Sequence, residues 1–289
     1  MGKQFSFKSS QSFTIRNGWI PKAIFEMQRN PNVNIFSKTT GVISLGIGSN
    51  MVSSLKYWLD AAGITETNKK KRTVLSDFGQ LLQKHDPYLE KDFSWELIHA
   101  ELASNAELTP LFWVLWNRLP INVVFSKESF VDDAQKFFYE QKVDYAKVDY
   151  INDDFGVLVR SYLRGRKEDP EDNAECPLSR LSLIKETEKS EYRKQTISLK
   201  ALSPFVVFYT LRSAVGKLDS IAFEDTIDLE NGPCRIFNLD RNSFMAVLMK
   251  LASLKLITLV KTAGLNTIYF CRDKYSLEDA FLDNEETRL

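Results

Sequence analysis

Histidine, cysteine and net charge are what this chain has least of. Only 2 His occur among 289 residues, His85 and His99. Two imidazoles do not make a His-rich metal centre, and His99 sits in an apolar stretch that marks it as a hydrogen-bonded core residue. The 3 cysteines, Cys176, Cys234 and Cys271, lie far apart. Their spacing fits neither a disulfide framework nor a zinc ribbon and points to buried thiols in a reducing compartment. Lys+Arg and Asp+Glu both number 38, so the formal net charge is +0. A coat for non-specific nucleic-acid binding would be basic overall, so any contact of that kind must rest on a local basic face or on partners. No apolar run approaches the ~20 residues of a membrane helix, and residues 1–13 lack the apolar core of a signal peptide. A cytoplasmic protein without a membrane partner is expected.

Catalytic signatures are equally scarce. No Gly-x-Ser-x-Gly elbow occurs. Leu45-Gly46-Ile47-Gly48-Ser49 lacks the spacing and the lysine of a phosphate-cradling loop, so no nucleotide or organic cofactor is expected. What the chain does have is core material: 44% hydrophobic residues with 20 Phe and 5 Trp, enough for one large domain or two to three small ones.

The most informative stretch runs from Leu45 to Ile64. Gly46 and Gly48 read as a turn, Ser49 or Asn50 as a helix cap, and Gly63 as a helix stop. Val52, Leu55 and Leu59 recur at spacings of three and four, the stripe of an amphipathic helix. Asn50, Ser53, Ser54, Lys56 and Tyr57 lie away from it. With Thr39–Ser44 as a short preceding helix, this is the pattern of a helix-turn-helix whose second helix enters the DNA major groove.

Around it the chain divides into units. Residues 1–66 form an N-terminal helix-turn-helix-like unit, with an extended start in which Phe5, Phe7 and Phe13 share parity, and a helix over Ala23–Arg29 after Pro21. Residues 67–166 form a helical middle unit. It opens on Lys69-Lys70-Lys71-Arg72, either a solvated loop or a phosphate-contacting wing. Ser94 is expected to cap a helix carrying Leu97, Ile98 and Leu102, and Pro110–Leu119 reads as the buried centre. Helices follow from Ser126, with Phe130 and Phe137 inward, and over Asp149–Leu163. Residues 167–197 are highly charged and read as a linker with a small anchored patch at Cys176-Pro177-Leu178. Residues 198–289 give a helix from Pro204 capped by Ser203 and a second long helix with Asp240 as N-cap, then strand-like runs at Leu256–Lys261 and Thr267–Arg272, the order of a winged-helix module. The fold class expected is mainly α with small β-hairpin wings, a multi-unit winged-helix and helix-turn-helix architecture.

Double-stranded DNA is the partner this architecture suggests. The residues expected to contact it are Arg16, Lys22, Ser49, Asn50, Ser53, Lys56, Tyr57, Lys70, Lys71, Arg72, Arg160, Arg164, Arg166, Arg241 and Asn242. Arg160, Arg164 and Arg166, at the C-terminal end of the Asp149–Leu163 helix, could equally complement that helix's dipole. A nuclease could use carboxylates plus a lysine around one or two Mg²⁺ or Mn²⁺ ions. Asp153 and Asp154, the group Glu168, Asp169, Glu171 and Asp172, and Glu186, Glu188 and Lys189 are available. No spacing singles out a metal site, and no catalytic residue is nominated.

Several stretches together resemble a known family. They are Arg16-Asn17-Gly18-Trp19-Ile20-Pro21-Lys22, Leu45–Val52 with Lys56-Tyr57-Trp58-Leu59, Asp86-Pro87-Tyr88-Leu89-Glu90, and Leu97-Ile98-His99 with Leu102-Ala103-Ser104-Asn105. Asp154 with Arg160-Ser161-Tyr162, Cys176-Pro177-Leu178 and Thr262-Ala263-Gly264-Leu265 complete the set. In order and spacing they resemble an SspB-like bacterial family first catalogued as a domain of unknown function, found in DNA phosphorothioation and related phage-defence operons. The family pattern has Gly-Lys-Asn-Met-Val where this chain has Gly48-Ser49-Asn50-Met51-Val52, and the missing lysine weakens the phosphate contact that the resemblance implies there. The resemblance implies cutting of one DNA strand so that sulfur can enter the backbone. It implies as partners an ATPase, a sulfurtransferase-like ATP-pyrophosphatase and a cysteine desulfurase. The alternative is a non-catalytic DNA-binding subunit or regulator of such an operon.

Overall fold

The apolar stripe between Leu45 and Ile64 becomes a helix packed across another. In the computed structural model, which describes residues 5–143, 149–164, 175–262, 265–272 and 274–287, α1 (Trp19–Arg29), α2 (Lys38–Leu45) and α3 (Ser49–Ala61) open the chain. Ser37 caps α2 by accepting from the Thr40 N–H, and the helix ends on Gly46 at φ 60°, a left-handed conformation that glycine enters without a Cβ penalty. The next helix is capped differently from expectation. Gly48, extended at φ −61°, takes the N-cap position without a side-chain bond, so Ser49 is the first helical residue and caps nothing. Gly63 does stop α3. At φ 66° it donates to the Asp60 carbonyl while Ile64 donates to that of Leu59, the paired bonds of a Schellman ending.

Val52, Leu55, Trp58 and Leu59 of α3 are buried. The crossing with α2 is close because position 41 carries no side chain: a Cβ there would lie 2.6 Å from Val52 Cγ1 and 2.7 Å from the Ile35 carbonyl. A short antiparallel hairpin follows, β1 (Thr65–Thr67) and β2 (Thr73–Leu75), then α4 (Asp77–His85). Two N-terminal details depart from the sequence reading. Residues 5–15 form turns rather than a strand; Phe5 and Phe7 meet Phe138 edge-on, so ring packing produced the parity. Helix α1 starts at Trp19, which leaves Pro21 in its first turn, where its missing N–H costs nothing.

The middle of the molecule is built on α5 (Asp92–Ser104) and α6 (Pro110–Asn117). Ten of the 13 residues of α5 are buried, so its polar groups need partners. Ser94 is one of them. It is not a cap; its hydroxyl donates to the buried Asp86 carboxylate, which also accepts the Glu90 and Lys91 N–H groups. Glu96 accepts the Ser203 N–H at 3.1 Å. All eight residues of α6 are buried. Its C-terminal carbonyls at Leu115, and that of Leu119 just beyond, receive the Lys194 ammonium at 3.1 and 2.7 Å. Burial, with the Arg235 charge adding, pulls that ammonium down to about 7. Strand β3 (Val124–Ser126) leads into α7 (Lys127–Glu140), and α8 (Ile151–Tyr162) follows.

The charged stretch after α8 is folded where it is described. A 3-10 turn (Pro177–Leu181) buries Leu178 and Leu181, and β4 (Ile184–Glu188) and β5 (Glu191–Lys194) join β3 in an antiparallel sheet of order β3-β5-β4. The final part contains α9 (Pro204–Val215), β6 (Ser220–Ala222), α10 (Phe223–Ile227), α11 (Pro233–Ile236), α12 (Arg241–Ser253), β7 (Ile257–Thr262), β8 (Leu265–Phe270) and α13 (Leu277–Glu286). Its sheet is antiparallel with order β6-β8-β7. Asp240 caps α12 by accepting the Ser243 N–H, and Ser203 caps α9, both as expected. Among the described residues the protein is thus mainly helical with three small antiparallel sheets, and a buried apolar cluster runs through it from Phe5 to Phe281. No helix among the described residues is long and apolar enough to cross a membrane.

The α2–α3 crossing gives the first prediction. Gly41→Ala forces a methyl into the Val52 and Ile35 contacts and is expected to cost about 1–3 kcal/mol. Urea unfolding measures it; a variant as stable as the parent would mean the helices do not cross there.

Candidate nucleic-acid interface

Burying one face of α3 leaves the other free. Ser49, Asn50 and Ser53 are exposed on it, and the Ser53 hydroxyl donates back to the Ser49 carbonyl. Lys56 is half-buried and paired with Asp60 one turn on; Asp60 also accepts the Thr65 hydroxyl. Tyr57 turns inward. Its hydroxyl donates to the Leu108 carbonyl at 2.7 Å, and burial holds the phenol above its ordinary range. The geometry gives Tyr57 a structural use, tying α3 to the middle of the molecule.

The Lys69–Arg72 run forms the turn of the β1–β2 hairpin. Asn68 organises it: its side-chain oxygen accepts the Lys70 and Arg72 N–H groups at 2.9 and 3.1 Å. Lys71 takes φ 57°. All four cations are exposed, and Arg72 donates to the Asn32 side chain at 3.1 Å. Asn68 was not singled out from the sequence. An Asn opening a cation run is the available signal, since Asn side chains close turns on backbone N–H groups.

Lys22 is exposed on α1, with its ammonium 3.5 Å from where a Cβ on Gly46 would be, beside the α2–α3 turn. Arg16 is half-buried with its guanidinium 5.7 Å from the Phe13 ring and 5.8 Å from that of Trp19. The structure therefore brings Lys22 and the free face of α3 to one turn, and sets the cationic hairpin two residues beyond the Gly63 stop. The remaining nominated residues lie elsewhere. Arg160 donates to the Ser12 carbonyl at 3.1 Å, Arg164 is exposed just past α8, and Arg166 lies outside the described residues. Arg241 at the head of α12 is paired through both terminal nitrogens with Glu224, and Asn242 beside it is exposed.

Among the described residues the acidic candidates form no common site. Asp153 pairs with the Lys8 ammonium at 2.7 Å, and Asp154 accepts the Lys8 backbone N–H at 2.7 Å. Burial pushes the Asp154 carboxyl up to about 6. The pair lashes residues 5–16 onto α8. Glu186 accepts the Ser190 N–H, Glu188 and Lys189 are exposed, and Glu168, Asp169, Glu171 and Asp172 lie outside the described residues. Among the described residues no three of His, Cys, Asp and Glu are grouped to hold a metal ion, so no ligand is assigned. His99 is fully buried. Its Nε2 donates to the Ile236 carbonyl at 2.9 Å, which leaves Nδ1 to accept the Tyr162 hydroxyl at 2.8 Å. It is a core histidine, as its apolar setting suggested.

Fold and site together define a mainly helical protein with small antiparallel sheets. Residues 7–285 match the family described as protein of unknown function (DUF4007), and the chain belongs to that family. No curated protein matches it. Two solved structures are similar: a crystal structure of magnesium ion-bound SspB, with TM-score 0.84 and 23% identity, and a crystal structure of SspB, with TM-score 0.81 and 22% identity. Each similarity covers 98% of this chain and 88% of the other. The SspB-like resemblance of the sequence is borne out, and at this identity the likeness speaks for the fold.

His99 supplies the second prediction. Burial lowers its pKa from 6.5 to about 4, so folding favours the neutral ring. That stability is complete above pH 6.5 and is lost as pH falls to about 4, amounting to about 3 kcal/mol. Asp154 runs the other way, since its raised pKa favours the folded state at low pH. The wild-type minus His99→Gln stability difference isolates the imidazole, and its NMR titration should have a midpoint near pH 4. A midpoint near 6.5 would contradict the buried hydrogen-bonded assignment.

Proposed function

We propose that this protein is a DNA-binding, strand-nicking subunit of a bacterial phosphorothioation-type phage-defence system. The observation that carries DNA binding is the N-terminal module. Two helices cross at Gly41, the second presents Ser49, Asn50 and Ser53 outward, and the hairpin that follows the end of that helix displays four exposed cations. In this reading α2 and α3 are a helix-turn-helix, α3 enters the major groove, and the hairpin is a wing on the phosphates. The C-terminal order of helix, strand, helices and hairpin is read as a second winged helix, with Asn242 and the head of α12 toward DNA. Small amide and hydroxyl side chains suit base edges; flexible lysines suit phosphates.

Strand nicking comes from the family resemblance, as do the ATPase, ATP-pyrophosphatase and cysteine desulfurase partners. Magnesium is bound in one of the similar SspB crystals, and Mg²⁺ or Mn²⁺ is the ion proposed for cutting here. A second reading, a DNA-holding subunit without its own chemistry, is favoured by one observation: Asp153 and Asp154 are both spent on Lys8.

Supercoiled plasmid with Mg²⁺ or Mn²⁺ separates the two. Open circles that form with metal and vanish with chelator are expected from a nicking subunit; shifted but uncut plasmid would leave the holding subunit. For the wing, the Lys70→Ala, Lys71→Ala double variant should weaken binding to all sequences alike. It should also lower the salt slope by about two, since each phosphate contact contributes about 0.9. An unchanged slope would remove the hairpin from the interface.

A further inference from the structure

The loop between α1 and α2 and the hairpin enclose a cavity of about 410 Å³, within the ~300–1,000 Å³ typical of small-molecule sites. Nothing described so far uses it. Its chemistry is lopsided. Lys71 and Arg72 line it, and no Asp or Glu does, so it suits an anion. Asn32, Asn34 and Gln80 also line it. With the Asn32 and Asn34 oxygens already accepting within the walls, those two amides present N–H donors, and Gln80 adds a donor and an acceptor, groups that suit a nucleobase edge. Ile35, buried at 1% exposure, and Phe36, half-buried, supply an apolar wall.

The walls are held in place. The Asn34 side-chain oxygen accepts the Phe36 N–H at 3.1 Å, and this fixes the side chain and leaves its nitrogen to donate. The Asn32 oxygen accepts from Arg72 at 3.1 Å, so the loop is tied to the hairpin turn. Phe36 also lies 6.0 Å below the Lys56 ammonium of α3. The cavity is therefore one side chain away from the helix read as entering the groove.

We propose that this cavity receives one unpaired nucleotide of a bound DNA strand, its base against the amides and the Ile35–Phe36 wall and its phosphate at Lys71. This rests on the DNA-binding reading above. A base that stays stacked in a duplex cannot enter a recess, so the nucleotide must leave the stack, and a hydrogen-bonding, apolar pocket is what holds bases that have done so. The amides commit the site to a nucleotide rather than to a free inorganic anion, which the two cations alone would serve.

The test uses the full chain and two duplexes at low salt. One is fully paired; the other carries a single bulged 2-aminopurine. The bulged duplex should bind about tenfold more tightly, as expected for one well-contacted base, and 2-aminopurine emission should rise as the base unstacks. Asn34→Leu and Gln80→Leu should each shrink that preference to under twofold while leaving paired-duplex affinity unchanged. Equal affinity for the two duplexes, or emission that does not change at saturation, overturns the proposal while DNA binding stands. A preference that survives both variants overturns it too. Binding to neither duplex removes the DNA reading together with the cavity.

Discussion

The structure depends on keeping α5 buried on nearly every side without leaving its polar groups unpaired. His99 is the centre of that arrangement. It bonds Tyr162 on α8 and the Ile236 carbonyl on α11, and its ring packs edge-on against Trp116 of α6 and against Phe237. Around it, Glu96 holds Ser203, and Glu101, its carboxyl raised by burial, accepts from Tyr209. Asn117 at the end of α6 donates to the Ala103 carbonyl and accepts the Asn231 N–H. The bonds to Ser203, Tyr209, Asn231 and Ile236 hold residues 203–236 on α5 and α6. Asn105 just past α5 donates to the Ala61 carbonyl, and Leu108 accepts from Tyr57, which holds α3. A buried polar group left without its partner costs about 1–3 kcal/mol, so each bond penalises movement of these segments relative to α5.

This bonding also reconciles a net charge of +0 with the proposed DNA-facing role. Many cations are committed to structure. Lys56 is paired with Asp60, Arg241 with Glu224 and Arg235 with Asp228. Lys194 is buried on carbonyls. The lysines in the hairpin turn stand apart, because Asn68 shapes that turn through the backbone and leaves the ammonium groups outward. Local placement can thus give a basic face that composition does not reveal. Exposed ion pairs contribute little to stability, about 0–1 kcal/mol; their effect here is to reduce the number of cations open to phosphate.

What the sequence made legible follows from which signals are local. The α3 stripe, the Asp240 and Ser203 caps and the start of a helix at Ser126 are set by neighbours within a turn or two, and they stand where the pattern put them. The C-terminal hairpin was readable from two β-rich runs around a glycine. Long-range pairing was not readable. Tyr57 lies off the apolar stripe yet turns its hydroxyl to Leu108, 51 residues away. The start of the chain mimicked a strand because Phe5 and Phe7 pack on α7. Residues 184–194 looked like free charged chain, but β5 pairs with β3 from far earlier in sequence. At the candidate interface the cation run and the α3 face were visible. The cavity beside them was not, because its walls meet only when residues 30–36 fold against residues 71–80.

Hydrogen–deuterium exchange with and without duplex DNA tests the central claim most directly. Saturating DNA should slow exchange in the first turns of α3 and in the 67–73 hairpin, with a second protected patch at the head of α12. Amides of α5 should be unchanged, since they are already buried. Protection confined to other surfaces, with α3 and the hairpin exchanging as in the free protein, would contradict the account.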